Sequence, residues 1–549
     1  MTTKTIYCIY LITLGILSLG SCGHKSKPEK PKAKHVIVVG FDGLSPDGIK
    51  HADTPYLDSL ISEGAYTPHA RSVLPSSSSP NWATMIMGVG PEVHGITSND
   101  WERDNFVLPP VTQDEDFLFP TIFTMVDRQI ENAETGAIYH WEGFGRLFEK
   151  KTVDYDVHAG DENRTAELAN VYIRENKPDF TFIHFDHIDH AGHHFGHGTP
   201  EYYEAVEKGD SLLGVIMRAI KETGMDEETL LIVSADHGGT GKGHGGETLA
   251  EMEIPFILWG ASVKKGYTIT SPVYQYDNAP TVAYALGLEP VQAWIGRPVR
   301  SAFTGEGDAA VFKVTERLSP PVIFPEAVLN KRPGKIFSDS ALVKLENPNT
   351  GGQILFTTDG TMPDANALPY KGPFTVYENT VVKSAVFREG KISSTVSEAY
   401  FRRKPESEKP AVHYELFYMD DLKKVPDMTI RQPDAKGECF EITSDEIRDE
   451  IKANTAVRFT TRLHVEKPGE YTFYTRSDDG SILRINKDKV VDNDGDHGVQ
   501  EASGSVTLEP GDHLLEVLWF NGGGSGWLDV YFKTGDKPKQ ILPPDLLKK

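Results

Sequence analysis

Three apolar runs in this chain end in acidic residues, and they constrain the fold more than any other feature. HVIVVGFDG (35–43), FTFIHFDHIDH (180–190) and LLIVSADHG (230–238) each place Asp within a few residues of the last apolar position. A continuous apolar run without alternation is the pattern of a strand buried on both faces. IPFILWG (254–260) repeats it, and helical patterns lie between, such as the stretch from Thr199-Pro200-Glu201 to about Lys221. Strands alternating with helices predict an α/β domain: a mainly parallel sheet with helices on both faces. Ligands of such sheets bind at the carboxyl ends of the strands. Asp42, Asp189 and Asp236 all fall at or just beyond such an end.

Histidines accompany these carboxylates. Asp189 and His193 stand four residues apart, and Gly192 is expected to allow a tight loop between them. Asp236-His237 closes the third run, and a glycine-rich turn follows that presents His244. Three carboxylates and three imidazoles suit two divalent ions of the zinc type. Taken singly, Asp-His-Gly after a strand also reads as a cap and turn, and the His-rich loop as a surface metal scavenger. Their occurrence together, in chain order, favours one site. LPSSSSPNWATMIMG (74–88) adds a hydroxyl-rich helix start with Pro in the first turn. The free N–H groups and positive dipole end of such a helix can hold a phosphate, so one of these serines is a candidate nucleophile.

Composition limits the alternatives. A length of 549 residues predicts more than one domain. The formal net charge of −24 excludes nucleic acid polymers as the expected partner, because a phosphate backbone selects a basic surface. It leaves phosphate substrates open, since bound divalent metals reverse the local sign. Residues 1–21 read as an export signal, with Lys4 followed by a short apolar run. Leu19-Gly20-Ser21-Cys22 resembles a bacterial lipobox, which makes Cys22 the expected lipidation site and the cell envelope, periplasmic or outer-membrane face, the expected location. An ordinary signal peptide is the alternative. Cys8 would leave with the leader, and Cys439 alone cannot form a disulfide. Residues 22–34 then form a tether. The first domain is expected over 35–308. Residues 325–403 and 411–540 read as two small all-β domains, joined by the charged linker FRRKPESEKP (401–410).

The motifs GFDGL (41–45), SSSSPNWATMIMGVGPEVHGITSN (76–99), DHAGH (189–193), SADHGG (234–239) and KGHGGE (242–247) together resemble the alkaline phosphatase superfamily. The branch they resemble is the type I phosphodiesterase/nucleotide pyrophosphatase family, over roughly residues 35–300. The resemblance implies Ser78, two residues before Pro80-Asn81, as nucleophile and Asn99 as a side-chain donor to the phosphoryl oxygens. It implies Asp189, His193 and His244 around one zinc, and Asp42, Asp236 and His237 around a second, which faces Ser78. Manganese is the alternative ion. His140, Glu142 and Lys242 are candidate substrate contacts, with an ordered loop as the other reading of HWEGFGR.

Two departures from the family pattern bear on substrate. Ser79 stands where nucleotide pyrophosphatases usually have an aromatic residue, and His244 comes very soon after Asp-His, an arrangement closer to the family's phosphoethanolamine transferase relatives. The implied activity is phosphodiester hydrolysis, on nucleotide or glycan-linked bonds, through a phospho-serine. Phosphomonoesterase and sulfatase activities are the alternatives within the superfamily. Ser78-Ser79-Pro80-Asn81-Trp82 places Trp where sulfatases require Arg, and a manganese mutase fits poorly with an exported chain. Residues 325–403 resemble the chitobiase C-terminal β-sandwich through FTTDGTMP (356–363), and 411–540 resemble a PA14 domain through YTFYTRSDDGSILRIN (471–486). This admits a non-enzymatic reading, a glycan-binding lipoprotein with an inactive catalytic domain. Asp478 and Asp479 are the candidate calcium and glycan ligands there, or a structural turn. The complete metal-ligand set favours catalysis. Oligomeric state is open.

Overall fold

The computed structural model describes residues 30–549 except 114–117, 308–311, 315–316, 326–332, 390–392, 406, 408, 524–525 and 536. The expected leader and Cys22 lie outside the described residues. Among the described residues, no helix is long and apolar enough to cross a membrane.

The apolar runs form the centre of one eight-stranded sheet. Its strands are β1 (His35–Phe41), β2 (Ala65–Arg71), β3 (Thr135–Tyr139), β4 (Tyr155–His158), β5 (Phe180–Phe185), β6 (Thr229–Ser234), β7 (Glu253–Gly260) and β8 (Tyr267–Thr268). Their order is β4-β3-β5-β1-β6-β7-β2-β8. The β4-to-β6 segment is parallel throughout, and β7 runs against both its neighbours. Every residue of β1, β5 and β6 is buried, as unbroken apolar runs require of strands covered on both faces. Each fully buried large apolar side chain contributes about 1.5–3 kcal/mol. The loops leaving these three strands are therefore held by the most rigid part of the molecule.

The helix expected from residue 199 spans Pro200–Glu222, and the Thr199 hydroxyl accepts the Tyr202 N–H at 3.2 Å as its N-cap. One local expectation fails. Asp189 and His193 are joined by a helix, His187–Phe195, rather than by a tight loop. Gly192 sits inside that helix, and a Cβ there would lie 2.4 Å from the His197 ring. The glycine serves a close side-chain approach, not a turn.

Beyond the helix Asn278–Leu286 the described residues contain no α-helix. Strands from Val322–Phe324 to Ser397–Arg403 form a five-stranded and a three-stranded sheet around their own apolar core. Strands from Val412–Tyr418 onward form a seven-stranded and a four-stranded sheet. The last strand, Leu547–Lys548, pairs with Thr455–Val465, so this module runs past residue 540. Arg402 donates to both carboxylate oxygens of Glu441, at 2.7 and 2.9 Å, in a buried pair joining the two β modules.

Candidate active site

Strand order assembles the site. β5, β1 and β6 are neighbours, so Asp42 after β1, the helix His187–Phe195 after β5, and Asp236-His237 after β6 emerge side by side. Gly43 makes the approach feasible. It has φ +69°, and a Cβ there would lie 2.8 Å from the Asp189 Cα.

The three histidines share one arrangement. His193 Nδ1 donates to the Lys242 carbonyl at 2.9 Å, His237 Nδ1 to the Gly238 carbonyl at 2.8 Å, and His244 Nδ1 to the Ser76 carbonyl at 2.9 Å. A carbonyl only accepts, so the proton is on Nδ1 and Nε2 faces the cluster. Such outer hydrogen bonds fix the tautomer of a metal-binding imidazole. Asp189, His193 and His244 bring ligand atoms within 4.8 Å of one another, and so do Asp42, Asp189 and His237. Asp236 joins through Oδ2, 3.2 Å from His237 Nε2, while its Oδ1 accepts the N–H groups of Gly43 and His237.

Electrostatics set the cluster apart. Asp42 Oδ1, Asp189 Oδ1 and Asp236 Oδ2 are buried and have no hydrogen-bond partner among the described residues. Burial, with Asp189's charge added, pushes Asp42 up to about 7, and burial pushes Asp236 well above the usual carboxylate range. For Asp189 burial acts upward too, but His193 and His244 outweigh it and hold the carboxyl well below that range. Asp189 in turn raises His193 to about 9. Burial holds His237 well below the usual imidazole value, so it is neutral and its Nε2 is a lone pair. That lone pair faces Asp236 Oδ2 and, at 3.4 Å, Asp42 Oδ1. Carboxyls raised in this way share protons with their neighbours, and a divalent cation would displace those protons and pair with the same oxygens. The oxygen and imidazole donor set fits a zinc-type divalent ion.

Each of the four serines has its own place. Ser76 Oγ donates to the Gly246 carbonyl at 2.6 Å and accepts the Gly245 N–H, tying the nucleophile loop to the loop of His244. Ser77 is the N-cap of the helix Ser78–Met87 but makes no side-chain cap bond. Ser78 Oγ lies 3.4 Å from His237 Nε2, at the edge of the acidic cluster. The Ser79 N–H donates to Asn99 Oδ1 at 2.8 Å. This orients Asn99 and leaves its NH₂ as the donor end.

The remaining candidates divide. Glu142 opens the short 3₁₀ helix Glu142–Arg146 and lines a cavity shared with Asn99. His140 is turned into the fold. Its Nδ1 accepts the Asp186 N–H at 3.3 Å, and burial pushes it down to about 4. Lys242 contributes its carbonyl to His193. In the last module Asp479 Oδ1 accepts the His497 N–H at 3.1 Å and Oδ2 the Gly522 N–H at 2.7 Å, the bonding of a structural turn. Burial, with Asp479 beside it, pushes Asp478 up to about 7.

Sequence reasoning passed over several contributors. Trp82 Nε1 donates to Asp42 Oδ2 at 3.0 Å. Asn81 accepts the Val73 N–H and donates to the Pro75 and Ser77 carbonyls, fixing the loop before Ser78. Arg146 Nη2 donates to Ser79 Oγ at 3.1 Å and to the Asn99 carbonyl. His197 is buried 4.0 Å from Asp189 Oδ1. Asn81 and Trp82 follow the serine run after Pro80, and their position was the available signal.

Comparison with known proteins follows the same division. Residues 36–244 match the family Type I phosphodiesterase / nucleotide pyrophosphatase, residues 332–398 the chitobiase/beta-hexosaminidase C-terminal domain, and residues 408–545 the PA14 domain. Bis(5'-adenosyl)-triphosphatase enpp4 of Mus musculus is 26% identical over 226 residues, 39% of this chain and 49% of that protein. GPI ethanolamine phosphate transferase 1 of Yarrowia lipolytica is 26% identical over 267 residues, 44% of this chain and 28% of that protein. The chain thus spans half or less of the length of these relatives. The solved structure of murine ectonucleotide pyrophosphatase / phosphodiesterase 5 aligns at 18% identity with a TM-score of 0.41, covering 47% of this chain and 96% of that one. Over residues 36–244 the chain therefore matches the type I phosphodiesterase / nucleotide pyrophosphatase family, with matches to the chitobiase C-terminal and PA14 families behind it.

Proposed function

We propose that this chain is a metal-dependent hydrolase of phosphodiesters that works through a phospho-serine at Ser78. The carrying observation is Ser78 Oγ, 3.4 Å from His237 Nε2, beside three buried carboxylate oxygens that lack hydrogen-bond partners. Two zinc ions are the proposed cofactors, one held by Asp189, His193 and His244, the other by Asp42, Asp236 and His237. Zinc there supplies the positive charge that lowers the pKa of a hydroxyl or water and offsets charge on a phosphoryl group.

The chain's own residues do the rest. Ser78 attacks phosphorus and the first alcohol leaves with a proton. Water then cleaves the phospho-serine, releasing the phosphomonoester and restoring the hydroxyl. The Asn99 NH₂, oriented by the Ser79 N–H, donates to a phosphoryl oxygen as charge develops. Trp82 holds the Asp42 carboxylate in place from behind.

The names of the relatives support an organic phosphoester substrate, nucleotide or glycan-linked, and the PA14 and chitobiase matches favour the glycan-linked class. The proposed setting is the bacterial cell envelope, with a lipid anchor at Cys22. At Asp478 and Asp479 the structural-turn reading is preferred to calcium binding, because both Asp479 oxygens accept loop amides.

The test is hydrolysis of bis-p-nitrophenyl phosphate, p-nitrophenyl phosphate and p-nitrophenyl sulfate by zinc-loaded protein, with Ser78→Ala as control. Diester turnover that falls about 10⁴-fold or more in the control is the expected result. Preference for the monoester or the sulfate would move the chain to the corresponding branch of the superfamily. No turnover of any of the three would favour a glycan-binding protein.

A further inference from the structure

Beside the nucleophile lies a second feature that the hydrolysis of a simple diester does not use. A cavity of about 810 Å³ opens between Asn99, Arg103, Tyr139, Trp141, Arg146 and Lys150. None of the six metal-ligand candidates lines it. It adjoins the site through Arg146, whose Nη2 contacts Ser79 Oγ and the Asn99 carbonyl. It thus borders Asn99 and is not lined by Asp189, His193 or His244.

Its chemistry is cationic in an acidic protein. Two carboxylates, Glu102 and Glu142, line it against three cations. Arg103 spends its side-chain hydrogen bonds on carbonyls, Nε to Arg146 O at 3.0 Å and Nη2 to Phe148 O at 2.5 Å. Among the described residues it has no carboxylate at ion-pair distance. Arg146 is fixed at one edge, and its buried Nε has no hydrogen-bond partner. Its Nη1 is held at 2.5 Å by Glu102, whose side chain is half exposed and can be displaced. Lys150 pairs with Asp156 at 2.7 Å and lies 5.1 Å from the Tyr139 ring centre. Guanidinium groups with unspent donors next to aromatic faces recognise phosphate attached to an organic group.

We infer that this cavity receives a second phosphate, carried on the organic group that remains on the phosphoryl after Ser78 attacks. The inference rests on the hydrolase reading for that orientation. It narrows the substrate to phosphodiesters whose retained alcohol is itself phosphorylated. Arg103, Arg146 and Lys150 are then specificity-determining residues, and Trp141 and Tyr139 flank the organic group.

The test separates binding from turnover. Calorimetry on the full zinc-loaded chain would compare thymidine 3′,5′-bisphosphate with thymidine 5′-monophosphate. In parallel, p-nitrophenolate release would compare thymidine 5′-(p-nitrophenyl phosphate) with its 3′-phosphorylated form. A single new charge-assisted hydrogen bond predicts a preference of about ten- to a hundredfold for the 3′-phosphorylated ligand in Kd and in kcat/KM, and a second would raise it further. Arg103→Met should bring that ratio toward one. Lys150→Met, which leaves the carbonyl bonds of Arg103 intact, should shrink it too, and serves if the first variant fails to fold. Equal affinities in the wild type would overturn the inference even if both esters were cleaved. Tighter bisphosphate binding without cleavage of either ester would support the cavity and overturn the hydrolase reading alone.

Discussion

Two groups of acidic residues follow strand ends in this protein, and they differ in how their oxygens are used. At the carboxyl ends of β1, β5 and β6, Asp42, Asp189 and Asp236 each keep a buried oxygen without a partner. In the last β module, both oxygens of Asp479 accept loop amides. Burying a carboxylate costs several kcal/mol unless something repays it. In the β module the fold repays it with its own N–H groups. At the sheet ends it does not: raised carboxyl pKa values offset part of the cost, and the cation proposed above would offset the rest. Unused acceptor capacity, rather than acidity, distinguishes the two.

The largest expected effect follows from removing that cation. Chelation and dialysis should abolish phosphodiester turnover and lower the melting transition of the α/β domain, leaving that of the β modules in place. Metal a thousandfold above its Kd stabilises by about 4 kcal/mol, on the order of 10 °C for a domain of this size. Differential scanning calorimetry with and without zinc reads this. A transition of the α/β domain that does not move would break the comparison.

The second effect has opposite signs in two measurements. Asp42→Asn keeps an oxygen for Trp82 Nε1 but removes a carboxyl whose charge is opposed by burial and by Asp189. Turnover should fall by roughly 10²–10³-fold or more. The metal-free protein should melt at or above the wild type, because a buried repulsion is gone. A metal-free variant that melts clearly lower would mean Asp42 is structural.

How far these contrasts were legible in the sequence depends on the range of the interaction. Asp42, Asp189, Asp236 and His237 announce themselves locally, since an unbroken apolar run fixes a buried strand and its last residues must face the ligand edge. Ser78 is legible as part of a helix start. The device that ties it down is not. Ser76 reaches Gly246, 170 positions away, and Arg146 reaches Ser79, 67 away. No local pattern encodes such pairs. Gly192 misleads for the same reason. Glycine costs a helix about 1 kcal/mol, so local preference reads a loop, and only the His197 ring packed against it explains the helix that forms. Asp478-Asp479 and Asp236-His237 look equally functional as letters, and only the hydrogen bonds separate them.

A third prediction examines the other half of the comparison. Asp479→Ala leaves the amides of His497 and Gly522 without their acceptor and should cost the last β module about 1–3 kcal/mol. The loss should be the same with calcium or with chelator, read by the transition of that module. A loss seen only when calcium is present would instead make the turn a metal site.

The smallest effects are pH slopes, and they run in opposite directions in the two regions. His94, buried in the α/β domain, donates Nε2–H to Thr84 Oγ1 and accepts the Ile96 N–H on Nδ1, and burial pushes it down to about 3. The unfolded chain takes up this proton near 6.5, so between about 3 and 6.5 it binds more protons than the folded chain. His94 therefore makes stability fall with acidification, by about 1.4 kcal/mol per pH unit at most. Glu446 in the last module accepts the N–H groups of Phe440 and Glu441, and burial pushes it up to about 7. Here the folded chain binds more protons between about 4.5 and 7, so stability falls as pH rises through that window. His94→Asn should cost about 1–3 kcal/mol at neutral pH yet flatten the acid slope of the first transition. Glu446→Gln should flatten the slope of the last module between about 4.5 and 7, where each variant is compared with wild type in calorimetric scans across pH. If both variants shift the two slopes in the same direction, the two regions do not balance their buried groups differently, and the contrast between them fails.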